Sequence, residues 1–228
     1  MKNVVLAIVC TFLLIVDCIP PSQQTIQRRI LRSTVMVRGG AGTVIRSTYN
    51  FKHHNFDNYI LTAAHVVKKP GNVVDVFFGK FNVSGGLVDR HFGSAVAQIV
   101  DDKLDYAIIK GSSPFYVPAV RLDCLHSYKV LEPIYVAGQP NGRVFWVNCG
   151  YISCLTLGEK SNVMFGHSAN CTFGSSGGPV FDSEGNQIGM NVSISLHQMF
   201  VPLTYIVNSV RISAIKDSLA GNYYKYFR

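Results

Sequence analysis

Gly174-Ser175-Ser176-Gly177-Gly178-Pro179 leads straight into the apolar pair Val180-Phe181. Glycine has no Cβ, so such a run reaches backbone angles that other residues avoid and lets another chain approach closely. Two readings fit a serine in that setting. One is a Gly/Ser turn between two strands. The other is a nucleophile, whose Oγ must be exposed while nearby N–H groups converge on a developing oxyanion. The rest of the chain separates them, because a serine hydroxyl is a weak nucleophile without an adjacent base.

A base is offered by Thr62-Ala63-Ala64-His65, where a histidine follows an apolar strand and two small residues that permit tight packing at its foot. The chain has seven histidines. His53 and His54 lie in a polar stretch, and His91, His126, His167 and His197 have no motif around them. A carboxylate is offered by Asp105, which opens the apolar run Asp105-Tyr106-Ala107-Ile108-Ile109. A buried acid has to be hydrogen-bonded, and an imidazole N–H serves. Asp101 and Asp102 are rivals, but they stand in the polar stretch before that run. The candidate set is therefore His65, Asp105 and Ser176. His65 would be the base, Asp105 its orienting acid and Ser176 the nucleophile, with the N–H groups of Gly174 and Ser176 as oxyanion donors.

The remainder is built of short, β-branched runs broken by Gly, Asn, Asp and Pro, which predict strands. Candidates are Ser33 to Arg38, Thr43 to Ile45, Tyr59 to Thr62, Val73 to Phe78, Ala95 to Val100, Tyr106 to Lys110 and Val117 to Leu122. The second half adds Pro133 to Ala137, Val144 to Val147, Tyr151 to Leu157, Val163 to Phe165, Pro179 to Phe181, Gln187 to Ser195 and Met199 to Val201. Gly138-Gln139-Pro140-Asn141-Gly142 and Asp182-Ser183-Glu184-Gly185-Asn186 read as turns. Gln27 to Arg32 reads as a short helix or an ordered arm. Ile206, Val210, Ile212, Ile215 and Leu219 fit one face of a terminal helix. So many short strands predict an all-β fold, sandwich or barrel.

Length and composition set the outer bounds. The chain has 228 residues with 48% hydrophobic and 15% charged content, enough for one or two cores. Its net charge of +8 is scattered rather than striped with aromatics, which argues against a nucleic-acid binder. Lys2 followed by the apolar Val4 to Val16 predicts a secretory leader over residues 1–19, too short for a comfortable span. An uncleaved anchor is the alternative. Residues 20–32 are expected to form an N-terminal arm that begins with an exposed linker, Pro20 to Gln24. Export gives Cys124, Cys149, Cys154 and Cys171 an oxidising setting, and up to two disulfides are expected, with free thiols as the other outcome. No CxxC or paired-histidine motif supports a zinc site.

Taken together, Thr62 to His65, Asp105 to Ile109 and Gly174 to Pro179 resemble the three signatures of the chymotrypsin-like serine proteases, most closely the HtrA/Deg branch. Gly40-Ala41-Gly42-Thr43-Val44-Ile45 and Tyr135 to Gly142 are similar to further motifs of that branch, with Gln139 where Asn is usual. The resemblance implies two six-stranded antiparallel β-barrels, roughly 33–115 and 125–205, with a C-terminal helix, within one protease domain over 33–228. It implies polypeptide substrates, no cofactor and no metal. It also implies homo-oligomer formation through the N-terminal segment, here Gln23 to Arg32.

By family position Asn170 would floor the substrate pocket, with Cys171, Val192, Ser193 and Ile194 as walls. An uncharged Asn170 predicts a small or medium apolar residue before the cleaved bond. Asn191 stands where related viral proteases carry a histidine. The chain departs from the family in three ways: no PDZ domain is expected, the Ile-Val-Gly-Gly activation site is absent, and Ser175 replaces an Asp. The alternatives are a virus- or phage-encoded polyprotein-processing serine protease and a protease-fold binding protein of low activity.

Overall fold

The computed structural model describes residues 23–139, 145–155, 162–197 and 204–227. The expected leader, most of the turn beyond Gly138 and the expected Met199 to Val201 strand lie outside these residues. The first described element is a helix, α1 (Gln23–Ser33). Six strands follow, β1 (Thr34–Val37), β2 (Gly40–Asn50), β3 (Asn55–Thr62), β4 (Val73–Phe81), β5 (Leu87–Asp101) and β6 (Tyr106–Ser113), with a one-turn helix, α2 (Ala64–Val67), between β3 and β4. The second six are β7 (Pro133–Gly138), β8 (Trp146–Cys154), β9 (Met164–His167), β10 (Pro179–Phe181), β11 (Gln187–His197) and β12 (Thr204–Arg211). The chain ends in α3 (Ile212–Leu219), a 3₁₀ turn (Ala220–Asn222) and α4 (Tyr223–Tyr226).

Each set of six closes into an antiparallel barrel. The strand order is β1-β2-β3-β6-β5-β4 in the first and, read from β7, β7-β8-β9-β12-β11-β10 in the second. The two barrels therefore share one connectivity. Closure leaves no open sheet edge for another chain to pair with.

Alternation builds the cores. Successive side chains of a strand face opposite ways. In the first barrel Val44, Ile60, Ala107 and Ile109 fill the interior. Their neighbours Ile45, Leu61, Tyr106 and Ile108 face out and are also buried, against Met190, Val210 and Ile215. One side of β2, β3 and β6 thus packs a barrel, and the other packs the seam between the barrels and the C-terminal helix. Phe165, Val180, Ile188 and Val207 fill the second barrel.

Four details differ from the expectations. Val117 to Leu122 forms no strand and joins the second barrel by a single bridge from Leu122 to Gln187. One strand, β8, takes the place of the two expected between 144 and 157. Thr204–Arg211 is a strand, paired with β11 and β9, so the helical face starts only at Ile212. Pairing on both sides outweighs the helical spacing of Ile206 and Val210. Finally, no disulfide forms among the described residues: Cys124, Cys149, Cys154 and Cys171 stay unbridged. Cys149 and Cys154 share strand β8 and stand about 17 Å apart, too far to bond to each other. Cys171 is buried inside the second barrel.

Helix α1 clamps the barrels from outside. Arg29 donates to the carbonyl of Glu184 in the β10–β11 turn at 2.8 Å, while Arg28 reaches that of Val83 in the β4–β5 turn at 3.2 Å. Its last carbonyls accept from Ser33 and Thr34 hydroxyls at 2.8 and 2.7 Å. Ile26 and Ile30 pack on Ala137 and Phe181. Ile30→Ala should therefore cost about 2–5 kcal/mol, as expected for a truncated core isoleucine. It should show in urea unfolding as a lower midpoint at an unchanged slope.

Candidate active site

Asp105 and His65 meet at the end of the first barrel, where β3 and β6 lie side by side with Thr62 opposite Ala107. Asp105 sits in the left-handed region at φ 56°, a conformation that acidic and amide residues tolerate better than most. From there it holds α2 through three atoms. Its carbonyl accepts from the Ala64 N–H at 3.2 Å and its Oδ1 from the His65 N–H at 2.9 Å. Its Oδ2 lies 2.7 Å from His65 Nδ1. No side chain caps α2 at Ala63; Asp105 satisfies the orphan N–H groups instead. An ionised carboxylate only accepts, so Nδ1 carries the hydrogen and, in the neutral ring, Nε2 keeps its lone pair. The hydrogen bond to Asp105 raises the His65 pKa above its ordinary value; the aspartate charge adds to this and partial burial opposes it. Asp101 is engaged elsewhere, accepting from Ser218 Oγ at 2.6 Å.

Ser176 reaches the seam by its backbone. Its carbonyl accepts from the Ala41 N–H at 2.8 Å. The next residue, Gly177, takes φ 79° and lies so close to Ala41 and Thr62 that any Cβ would collide with the Ala41 carbonyl and the Thr62 hydroxyl. The loop carrying Ser176 is thus pressed onto the strand end that leads to His65. Ser176 is half-buried, and its Oγ makes no hydrogen bond to His65 among the described residues. Such bonds are often long before substrate binds. The N–H groups of Gly174 and Ser176 have no partner among the described residues either, so both remain available as donors.

Behind the loop lies a buried polar chain that sequence reasoning missed. Asn191 on β11 exchanges backbone hydrogen bonds with Gly177 and Gly178, at 2.7 and 2.9 Å. Its side-chain Oδ1 accepts from His167 Nε2 and from Ser209 Oγ, both at 2.9 Å, and its Nδ2 faces Cys171 Sγ at 3.6 Å. Burial pushes the His167 pKa down to about 4 and the Cys171 thiol up to about 12. Both side chains are neutral near pH 7. His167 lies 24 and 42 residues from its partners, so no local pattern marks it.

The expected pocket residues separate. Asn170 and Cys171 line a small cleft with Ser175 and Asn191, of about 10 Å³, room for one water molecule. Val192 is buried in the core between the barrels, and Ser193 accepts from Asn208 Nδ2 at 3.2 Å. Neither lines that cleft. The side chain of Ile194 lies outside the described residues. One group among the described residues could hold a cation, Asp123, His126 and Asp182. Its atoms are already engaged: Asp182 accepts from Glu184 and Asn186, and His126 lies between Asp123 and Glu132 at 3.3 and 2.8 Å.

The depressed pKa of His167 gives a signed expectation. Between pH 6.5 and about 4 the unfolded chain binds a proton there that the folded chain refuses. Stability is full above pH 6.5 and falls as pH drops towards 4, by about 3 kcal/mol at the low end. Thermal melts from pH 7 to 4 should show this loss, and His167→Gln should flatten it.

A trypsin-like peptidase domain model matches residues 40–190. No curated protein sequence matches the chain. Among solved structures, a serine endoprotease from Yersinia pestis is similar, with a TM-score of 0.65 at 17% identity over 90% of this chain and 68% of that one. Deg5 also gives 0.65, at 19% identity over 89% and 94%. At such identity the likeness concerns the fold. The family match spans most of the chain and covers all three signature stretches, and on that ground the chain belongs to the trypsin-like peptidase domain family, with an HtrA/Deg-like double barrel.

Proposed function

We propose that the chain is a serine endopeptidase that acts through an acyl-enzyme on Ser176. The observation that carries this is the Asp105–His65 hydrogen bond of 2.7 Å, which fixes the tautomer with Nε2 free at the seam where Ser176 is held. In this reading Nε2 takes the Ser176 proton as Oγ attacks the scissile carbonyl. The imidazolium is stabilised by Asp105, and the tetrahedral oxyanion is held by the N–H groups of Gly174 and Ser176. Collapse of the intermediate passes the proton from Nε2 to the departing amine. Water, activated by the same imidazole, then releases the acyl half. No step calls on a metal or an organic cofactor.

Cys124, Cys149, Cys154 and Cys171 form no disulfide, so they lend export no support. Export is proposed on Lys2 and the apolar Val4 to Val16 alone. Oligomer formation through Gln23 to Arg32 would have to use the outer side of α1, because Ile26 and Ile30 are spent within the chain.

A fluorophosphonate probe should label the protein on Ser176 and fail on Ser176→Ala and His65→Ala. A folded parent that stays unlabelled overturns the reading. The acid limb of kcat/KM should have its midpoint above pH 6.5, since His65 must be neutral to act as base and its pKa is raised. Asp105→Asn should leave the fold intact and lower kcat by about 10⁴, the loss expected when the tautomer is no longer fixed.

A further inference from the structure

A cavity of about 480 Å³ opens beside His65. This lies within the range of small-ligand sites. Three elements wall it: the β1–β2 turn with Arg38 and Gly39, α2 with His65 and Val66, and the loop into β4 with Lys68, Asn72 and Val73. Two cations line it and no acid does. The nearest acid by sequence, Asp75, lines a second groove of about 200 Å³ that shares Arg38 and Gly39 with this cavity. Neither Arg38 nor Lys68 forms an ion pair among the described residues.

The walls are fastened by hydrogen bonds. The Arg38 N–H donates to the Asp75 carbonyl at 3.0 Å. Asn72 Nδ2 donates to the last carbonyl of α2, that of Val67, at 2.8 Å. The loop between is tied to β5 through Gly71 to Ala97 and Ala97 to Asn72, at 3.0 and 2.9 Å. Lys68 itself takes φ 79°. Glycine is the ordinary residue for that angle, and a side chain kept there is strained. The strain is borne at a position that adds a positive charge to the cavity.

Which half of a substrate this cavity meets follows from the chemistry. The acyl half stays on Ser176, while the imidazole hands its proton to the departing amine. The chain beyond the cleaved bond therefore leaves past His65. The cavity contains His65 and no residue from 170 to 176, whereas the small cleft holds Asn170, Cys171 and Ser175 and does not reach His65.

We propose that this cavity binds an acidic side chain within the first three residues after the scissile bond, with Arg38 and Lys68 selecting it. The inference rests on the endopeptidase reading above. Valines give the aliphatic part of an Asp or Glu side chain an apolar wall, and the two cations meet its carboxylate. Both cations are exposed, so the preference is modest and weakens with salt.

The test is digestion of a degenerate peptide library by the full chain, with cleavage sites read by mass spectrometry. Asp and Glu should exceed Lys about tenfold at one of the first three positions after the bond, and the ratio should shrink in high salt. Arg38→Glu and Lys68→Glu should each lower the acid-to-lysine ratio, and the double variant should invert it. Lys68→Gly, which suits the backbone angle, should lower the ratio without loss of folding. A parent ratio within twofold of unity, or one unmoved in folded variants, overturns the cavity assignment and leaves the peptidase. A folded parent that cuts no peptide in the library overturns both.

Discussion

Gly177 pressed against Ala41 and Thr62 is the contact on which the site depends. Ala41 is the second residue of β2 and Thr62 ends β3, both in the first barrel; Gly177 follows β9 and precedes β10 in the second. The contact is reinforced on both sides. The Ala41 N–H donates to the Ser176 carbonyl, and the Thr62 hydroxyl donates to the Ala41 carbonyl at 2.7 Å. Strand register then carries the consequence outward. Gly42 stands opposite Thr62, and Thr62 opposite Ala107, so one row across the barrel fixes the heights of His65 and Asp105 relative to Ser176.

Long-range ties keep that contact from sliding. Outside, α1 reaches the turn of each barrel. At the other end of the chain, Tyr226 and Phe227 are buried in the seam, and Arg46 on β2 donates to the Lys225 carbonyl at 2.6 Å. Ser218 on α3 joins Asp101, just ahead of Asp105. Behind the nucleophile loop, Asn191 is fixed by His167 and Ser209 inside the second barrel. A buried polar network of this kind is costly when any member is unsatisfied. His167 Nδ1 has no partner among the described residues, so the imidazole gains nothing from a proton there.

The two candidate residues of the first barrel were legible because their surroundings are local. Two alanines before His65 and an apolar run after Asp105 say that each side chain stands at a buried strand end. The loop of Ser176 was legible because a positive φ and close backbone approach need glycine at Gly177. The pocket was less so. Val192 was expected as a wall and faces the inter-barrel core, because a register shift between Asn191 and Ser193 changes which side each residue presents. His167 had no motif to mark it.

The sequence by itself determined the strand-rich architecture, the location of most strands and the three stretches that carry the candidate chemistry. These rest on alternation, turn residues and glycine, which act over a few residues. Only the tertiary structure decided that Thr204–Arg211 is a strand, that Cys124, Cys149, Cys154 and Cys171 form no disulfide, and that His167, Asn191 and Cys171 meet behind Ser176. Those outcomes come from closing a barrel, which brings residues tens of positions apart to one place. Short-range propensity carries no information about that closure.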